Sequence, residues 1–194
     1  QNSDLLLILG SRLNIRQISY NWNSFARKAY KIWVDIDEIE MQKPTVKADL
    51  SICANLSDFL PQLEKTPYNG PTSAHLKWLN WCLERRKRYP VVLDEYWKTK
   101  KISPYTFMQT LFRQFQKGQI TVAADGSACV VGFQTCEIKK NQRFWTNSGC
   151  CAMGYDLPAA IGACIGNKRK PVACIAGDGS IMMNLQELQT IVGN

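Results

Sequence analysis

Residues 171–180 read PVACIAGDGS, an apolar run followed by a glycine-rich acidic turn. The run at 171–176 is short and ends at a glycine, which predicts a buried strand of a parallel sheet covered on both faces. Ligands of such sheets bind beyond the carboxyl ends of the strands, where helix N-termini offer N–H groups to phosphates. Gly177–Ser180 occupy that position. We expect the two glycines to turn the backbone tightly and the Asp178 carboxylate to offer Mg²⁺ a hard oxygen ligand.

Strands and helices alternate on both sides of this turn. Apolar runs predict strands, and apolar residues at helical spacing predict helices. The predicted strands include 4–9, 31–36, 48–52 and 119–124, and the predicted helices include 23–29, 55–63, 74–89, 104–116, 154–165 and 184–192. This alternation indicates an α/β fold with two partial doubly wound parallel-sheet domains, at 1–63 and 105–194. The segment 64–104 is rich in Pro, Gly, Lys and Trp, which predicts a linker containing one amphipathic helix.

The composition argues against several classes of protein. The chain is 45% hydrophobic, so it can bury a core, and no apolar run approaches the roughly 20 residues that span a bilayer. Its eight cysteines form neither a CxxC pair nor a zinc-type spacing with histidine, which indicates reduced cytoplasmic thiols. The net charge of +8 includes clusters at 85–88, 98–101 and 168–170. Solvated helix ends and loops explain these clusters better than a nucleic-acid interface does.

Segments near the acidic turn carry a family resemblance. Residues 147–163, NSGCCAMGYDLPAAIGA, and 172–191, VACIAGDGSIMMNLQELQTI, resemble the thiamine-diphosphate-binding domain of the acetolactate synthase family. The segments DLLLILGSRLNIRQ and KIWVDIDEIE, within 4–63, resemble the second half of that family's central domain. The resemblance implies that 1–63 is the C-terminal half of a Rossmann-like central domain and that 105–194 is the first part of the cofactor-binding domain. Asp-Gly alone is an ordinary turn dipeptide, so these motifs decide the interpretation.

The resemblance implies a site for thiamine diphosphate and Mg²⁺. Asp178 matches the family's metal-binding Asp, and the backbone at Gly179 and Ser180 matches its diphosphate contacts. Gly177 is also expected to contact the cofactor. Met153 matches the large apolar side chain that holds the cofactor in its bent form. The alternative for Met153 is a role in filling the core.

Met183 is one further expected cofactor contact, whereas two functional side chains of the family are not matched within the chain. Met183 is expected to line the cofactor, although its helical spacing fits packing equally well. The family's second metal-binding side chain, an Asn, falls beyond Asn194, which itself lies too close to Asp178 to be that residue. The family's activating Glu belongs to an N-terminal pyrimidine-binding domain and has no counterpart here. We therefore expect that this chain contains no catalytic acid or base and that it is inactive by itself.

Several residues depart from the family pattern. Where the family has Gly-Gln-His-Gln, residues 126–129 read GSAC, so two polar side chains near the diphosphate are replaced. Gly126 and Ser127 are still expected to bind phosphate through backbone N–H and hydroxyl groups. Cys151 stands where the family usually has a Gly whose carbonyl faces the aminopyrimidine, and Asp156 replaces another Gly. These departures indicate a divergent relative with a different acceptor substrate.

A flavin site stays open. Gly10 and Arg12 match positions near the family's FAD, whereas Asn14 and Ile15 do not follow its usual acidic pair. FAD is therefore neither predicted nor excluded by these residues.

The sequence thus predicts a thiamine-diphosphate- and Mg²⁺-dependent lyase or carboligase that acts on a 2-oxo acid. An apolar run soon after Gln1 and a helical pattern still running at Asn194 indicate that the chain is an incomplete piece of it. We expect a homodimer or homotetramer at full length, in the cytoplasm, with no nucleic-acid or membrane partner. Two alternatives stay open: a non-catalytic nucleotide- or FAD-binding α/β module and, less favoured, a basic nucleic-acid-binding protein. These residues do not specify the donor and acceptor substrates.

Overall fold

A computed structural model describes residues 2–193, which divide into two compact units between Ala74 and His75. Each unit contains a parallel three-stranded sheet with helices, which confirms the predicted α/β class. The strands are β1 (Leu5–Leu9), β2 (Tyr30–Asp35), β3 (Leu50–Cys53), β4 (Ile120–Ala123), β5 (Arg143–Trp145) and β6 (Val172–Ile175). The helices are α1 (Ile15–Ile18), α2 (Glu38–Gln42), α3 (Leu56–Lys65), α4 (Ser73–Arg88), α5 (Pro104–Gln114), α6 (Ser127–Thr135), α7 (Asp156–Gly166), α8 (Asp178–Met183) and α9 (Glu187–Gly193). Among the described residues, no helix is long and apolar enough to cross a membrane.

In the first unit the strand order is β1-β2-β3, so β2 is the central strand. Trp33 and Val34 of β2 are fully buried. Side chains alternate between the two faces of a strand, and Ile8 lies beside Trp33 on the face that forms the core. Leu5 and Leu7 of β1 are 53% and 39% exposed, so β1 is not buried on both faces as its apolar run predicts. The physical reason is that β1 lies at the sheet edge, and the core formed with Ile18 of α1 and Met41 of α2 covers the face that carries Ile8.

The helix predicted at 23–29 is also wrong. The chain forms a short 3-10 turn at Trp22–Ser24 and then irregular turns, because Ala26 adopts a φ of +45° that an α-helix does not allow. The helix instead lies earlier, at α1. Asn14 caps it by accepting from the Arg16 N–H, and the Gln17 side chain accepts from the Asn14 N–H in return. The capping box was the signal that the sequence offered for this helix.

In the second unit the strand order is β5-β4-β6, so β4 is central and its Thr121–Ala123 segment is buried. The core includes Met108 and Phe112 of α5, packed with Ala123 and the start of α6. The predicted two-sided burial of 171–176 was wrong, because β6 lies at the edge and Cys174 is exposed. Parallel β4 and β6 pair from Ile120 to Ala123, so their carboxyl ends lie side by side. The candidate site forms at the carboxyl ends of these two strands.

Candidate functional site

An open cleft of about 680 Å³ lies at the carboxyl ends of β4 and β6. Its lining consists of Pro104, Phe107, Met108, Asp125–Ala128, Met153 and Ile175–Ser180. The structure thus brings together most of the predicted site residues, namely Gly126, Ser127, Met153, Gly177, Asp178, Gly179 and Ser180. Asp125 is an additional carboxylate in this lining that the sequence reasoning did not single out. A second, apolar groove between α7, β6 and α9 contains none of the predicted site residues.

Helix α8 begins at the floor of the cleft. Its first intrahelical hydrogen bond runs from the Ile181 N–H to the Gly177 carbonyl, at 3.0 Å. The N–H groups of Asp178, Gly179 and Ser180 therefore have no acceptor within the helix, and no side chain caps them at Gly177. Such a helix end attracts anions through its amides and its partial positive charge.

The two glycines of the turn act differently from the expectation. Gly177 has φ −81° and ψ 154°, which is ordinary extended backbone, and Gly179 lies inside α8, so neither makes a tight turn. A Cβ on residue 179 would stand 3.1 Å from Cε of Met153. Gly179 therefore provides space for Met153, whose side chain lines the cleft and is half exposed.

Helix α6 presents a second N-terminus to the cleft. Gly126 has φ +71°, a conformation that favours glycine, and its carbonyl accepts from the Val130 N–H at 3.0 Å. The N–H groups of residues 127–129 precede that bond and have no acceptor within α6. The family's Gln and His side chains are replaced here, but the backbone N–H donors at the start of α6 remain beside Ser127.

The loop that carries Met153 is held against α8 by one buried and one partly buried hydrogen bond. The Gly154 N–H donates to Ser180 Oγ at 2.9 Å, and Asn184 Nδ2 donates to the Gly154 carbonyl at 2.6 Å. Ser180 Oγ in turn donates to Asp156 Oδ1 at 2.7 Å. Gly154 and Asn184 were not predicted as site residues from the sequence, because these contacts join residues 26 and 30 positions apart.

Asn147 ties the same loop to the end of β4. With its amide oriented to satisfy both neighbours, the nitrogen donates to Asp125 Oδ2 and the oxygen accepts from the Ala152 N–H, both at 3.2 Å. Asp178 and Asp125 are the carboxylates of the cleft lining. Within residues 2–193, no group of three or more His, Cys, Asp or Glu side chains is placed to hold a metal ion. Asn194, which the sequence excluded as the second metal ligand, lies outside the described residues.

Two predicted cofactor contacts lie outside the cleft lining. Cys151 is exposed, with Sγ 2.9 Å from the Ser148 carbonyl oxygen, and its φ of +53° is the left-handed conformation that suits a glycine at this position. Met183 is 58% exposed, and its Cβ lies against Gly154. The cofactor contacts of Cys151 and Met183 stay predictions.

Two family models match parts of this chain. The model of the thiamine pyrophosphate enzyme central domain matches residues 1–63, and that of the C-terminal TPP binding domain matches residues 125–194. This chain belongs to the thiamine pyrophosphate enzyme family. The predicted family resemblance is thereby confirmed, and the cleft falls within the part that matches the TPP binding domain, except for its α5 lining.

Several acetolactate synthases are similar to this chain. The chain is 29% identical over 194 residues to the acetolactate synthase isozyme 1 large subunit of Escherichia coli (strain K12), covering 100% of this chain and 33% of the relative. It is 31% identical over 194 residues to acetolactate synthase 3, chloroplastic, of Brassica napus, covering 98% of this chain and 29% of the relative. It is 32% identical over 193 residues to acetolactate synthase 2, chloroplastic, of Nicotiana tabacum, covering 98% of this chain and 28% of the relative. The chain thus spans about a third of the length of these relatives.

Proposed function

We propose that the full-length protein is a thiamine-diphosphate- and Mg²⁺-dependent lyase or carboligase that acts on a 2-oxo acid. The observation that carries this proposal is the convergence of Asp178, the α8 amides and Met153 on one cleft, in a chain of the thiamine pyrophosphate enzyme family. The similarity to acetolactate synthase large subunits supports the substrate class.

The donor groups of the cleft fit a diphosphate. Backbone N–H groups at the starts of α6 and α8 lack helical acceptors, and Gly177 has no atom within 4 Å of the place where its Cβ would stand. A ligand can therefore approach the backbone closely at Gly177. We assign diphosphate binding to the amides of Gly179 and Ser180, with the Gly126 and Ser127 region on the opposite side.

The carboxylate of Asp178 is suited to anchor Mg²⁺. This ion takes about six oxygens and is commonly held by one or two carboxylates together with ligand phosphates. Asp178 lies at the first position of α8, next to the amides assigned to the diphosphate. Its carboxylate would therefore hold the metal close to the diphosphate oxygens. The family resemblance implies that the second protein ligand of the metal is an Asn beyond residue 194.

The remaining chemistry is divided between this chain and other parts of the protein. When bound, thiamine diphosphate supplies an electron sink for cleaving the bond next to a 2-oxo group. Met153, an apolar and adaptable side chain, sets the conformation of the bound cofactor. The activating Glu is assigned to a domain outside this chain, so the chain alone is inactive. A homodimer or homotetramer and the cytoplasmic location also stay predictions, and the use of FAD stays open.

The test is the release of CO₂ by the full-length protein from a panel of 2-oxo acids that starts with pyruvate. We expect turnover of at least one of them, with loss of activity when either thiamine diphosphate or Mg²⁺ is left out. Turnover without added or bound thiamine diphosphate contradicts the proposal. Failure to turn over any 2-oxo acid, with the cofactor bound, refutes the assigned reaction while leaving the family unaffected.

A further inference from the structure

A buried carboxyl group lies beneath the loop that carries Met153. Asp156 is 0% exposed and begins α7, and Ser180, which is 6% exposed, lies in the first turn of α8. Among the described residues, Oδ2 of Asp156 has no hydrogen-bond partner, whereas Oδ1 accepts from the Ser180 hydroxyl group at 2.7 Å. Burying a carboxyl group is costly, which implies that its position serves more than packing.

The Asp156 contact fixes the direction of the Ser180 hydroxyl group. A serine hydroxyl has one proton and two acceptor lone pairs. Since the proton is donated to Asp156 Oδ1 at 2.7 Å, a lone pair is left to accept from the Gly154 N–H at 2.9 Å. Without the carboxyl group, the hydroxyl is free to rotate and to donate elsewhere, including to an anion in the cleft. Asp156 therefore both aligns Ser180 and withholds its hydroxyl proton from the cleft.

Gly154 is held at its carbonyl as well. The carbonyl accepts from Asn184 Nδ2 at 2.6 Å, and Asn184 is the residue at which α8 ends. A Cβ on residue 154 would stand 2.8 Å from Asn184 Nδ2 and from the Met183 Cβ, so the loop and the helix are in close contact. The neighbouring Met153 is thereby fixed relative to the amides at the start of the same helix.

We propose that Asp156 is a positioning residue that, through Ser180, locks the Met153 loop onto α8 and so presets the cleft for a diphosphate-bearing cofactor. The lock is a feature of the protein alone, whereas its effect on cofactor affinity rests on the proposed function.

Hydrogen exchange tests the lock in the cofactor-free, full-length protein. In peptides covering 150–157, we expect Asp156→Leu and Ser180→Ala to raise exchange about tenfold, the effect of losing roughly one hydrogen bond. Asp156→Asn keeps an acceptor oxygen for Ser180 and is expected to retain protection. Thr135→Val removes another buried hydroxyl, which donates to the Val131 carbonyl, and is the matched control that leaves this segment protected.

Two outcomes overturn the lock. One is wild-type protection in Ser180→Ala, which stays informative if Asp156→Leu does not fold. The other is an equal rise in exchange in Thr135→Val, which would mean that general destabilisation is measured.

Calorimetric titration with thiamine diphosphate and Mg²⁺ tests the effect on the cleft. We expect Asp156→Leu to weaken cofactor affinity about tenfold, as for the loss of one hydrogen bond, and Asp156→Asn to bind like the wild type. Unchanged affinity in Asp156→Leu refutes the positioning role even if exchange rises. If the wild-type protein binds no thiamine diphosphate, the proposed function fails and the positioning role with it, while the exchange experiment still decides whether the lock exists.

Discussion

Cε of Met153 lies 3.1 Å from the point where a Cβ on Gly179 would stand. This contact joins the side chain assigned to shape the cofactor with the helix start assigned to bind its diphosphate. Because the methionine end is flexible, Gly179→Ala is expected to leave the fold intact while displacing Met153. We predict a loss of thiamine-diphosphate affinity of about threefold to tenfold, comparable to one lost contact of modest energy.

A double-mutant cycle separates this effect from a direct backbone effect. In a Met153→Ala background, Gly179→Ala is expected to change the affinity no further. Gly162→Ala, in α7 with open space around it, is the control and is expected to bind the cofactor like the wild type. An undiminished loss of affinity in the Met153→Ala background would show that Gly179 acts without Met153.

Gly154 is the position where backbone conformation and packing both require glycine. Its φ is +84°, and a Cβ there would meet Asn184 and Met183 at 2.8 Å. Gly118→Ala is the matched control, because its φ of +78° is similar but no atom lies within 4 Å. We predict that Gly118→Ala costs about 1 kcal/mol through its backbone, whereas Gly154→Ala costs roughly 2–4 kcal/mol because overpacking is added.

The thermal unfolding midpoint of the full-length protein measures this difference. Equal shifts in the two variants would mean that the Met153 loop moves away from α8 at little cost. That result would weaken the packing argument for the loop while leaving the hydrogen bonds to be tested separately.

Cys174 is expected to be accessible but unreactive. Cys174 as a whole residue is exposed on the edge strand β6, whereas its thiol group is partly buried. This burial raises the pKa of the thiol to about 11, and the nearby charge of Asp156 adds to the rise. A raised thiol pKa favours the protonated form, so the reactive thiolate is scarce until the pH approaches 11. Relative to the ordinary value of 9.0, the thiolate fraction at pH 8 is lower by roughly 100-fold.

Iodoacetamide labelling followed by peptide mass spectrometry measures the reactivity of Cys174. We predict slow labelling at pH 8 in the native protein, a steep rise towards pH 11, and rapid labelling at pH 8 after unfolding. Asp156→Asn removes the lesser cause and is expected to speed native labelling modestly. Equal rates in the native and unfolded protein at pH 8 would contradict the raised pKa.

The linker helix and the central strand of the second unit were predicted well from the sequence, and several other short elements poorly. The linker helix was expected at 74–89 and is found at Ser73–Arg88, and the strand expected at 119–124 is found at Ile120–Ala123. The strand β5 has only three residues, and α8 has six, so neither offers a period to detect. The helix expected at 23–29 failed because the local pattern does not reveal the left-handed Ala26.

The site was predictable as a set of motifs but not as a geometry. The turn at Gly177–Ser180 was identified because strand ends and helix starts are adjacent in the chain. The hydrogen bond from the Gly154 N–H to Ser180 Oγ joins residues 26 positions apart, and nothing in the local spacing predicts it. The same holds for Asp156, which was noted only as a replaced glycine and is found buried against Ser180.

The central claim is that Asp178 anchors a metal that holds the cofactor diphosphate in this cleft. Isothermal titration of the full-length protein with thiamine diphosphate, in the presence and absence of Mg²⁺, tests it most directly. We predict Mg²⁺-dependent binding that Asp178→Ala weakens by about 100-fold or more, because removal even of groups that orient metal ligands costs up to about that much. Glu95→Ala, a charge removal outside the cleft lining, is the control and is expected to bind like the wild type. Absence of binding to the wild type, or binding that Asp178→Ala leaves unchanged, would contradict the claim.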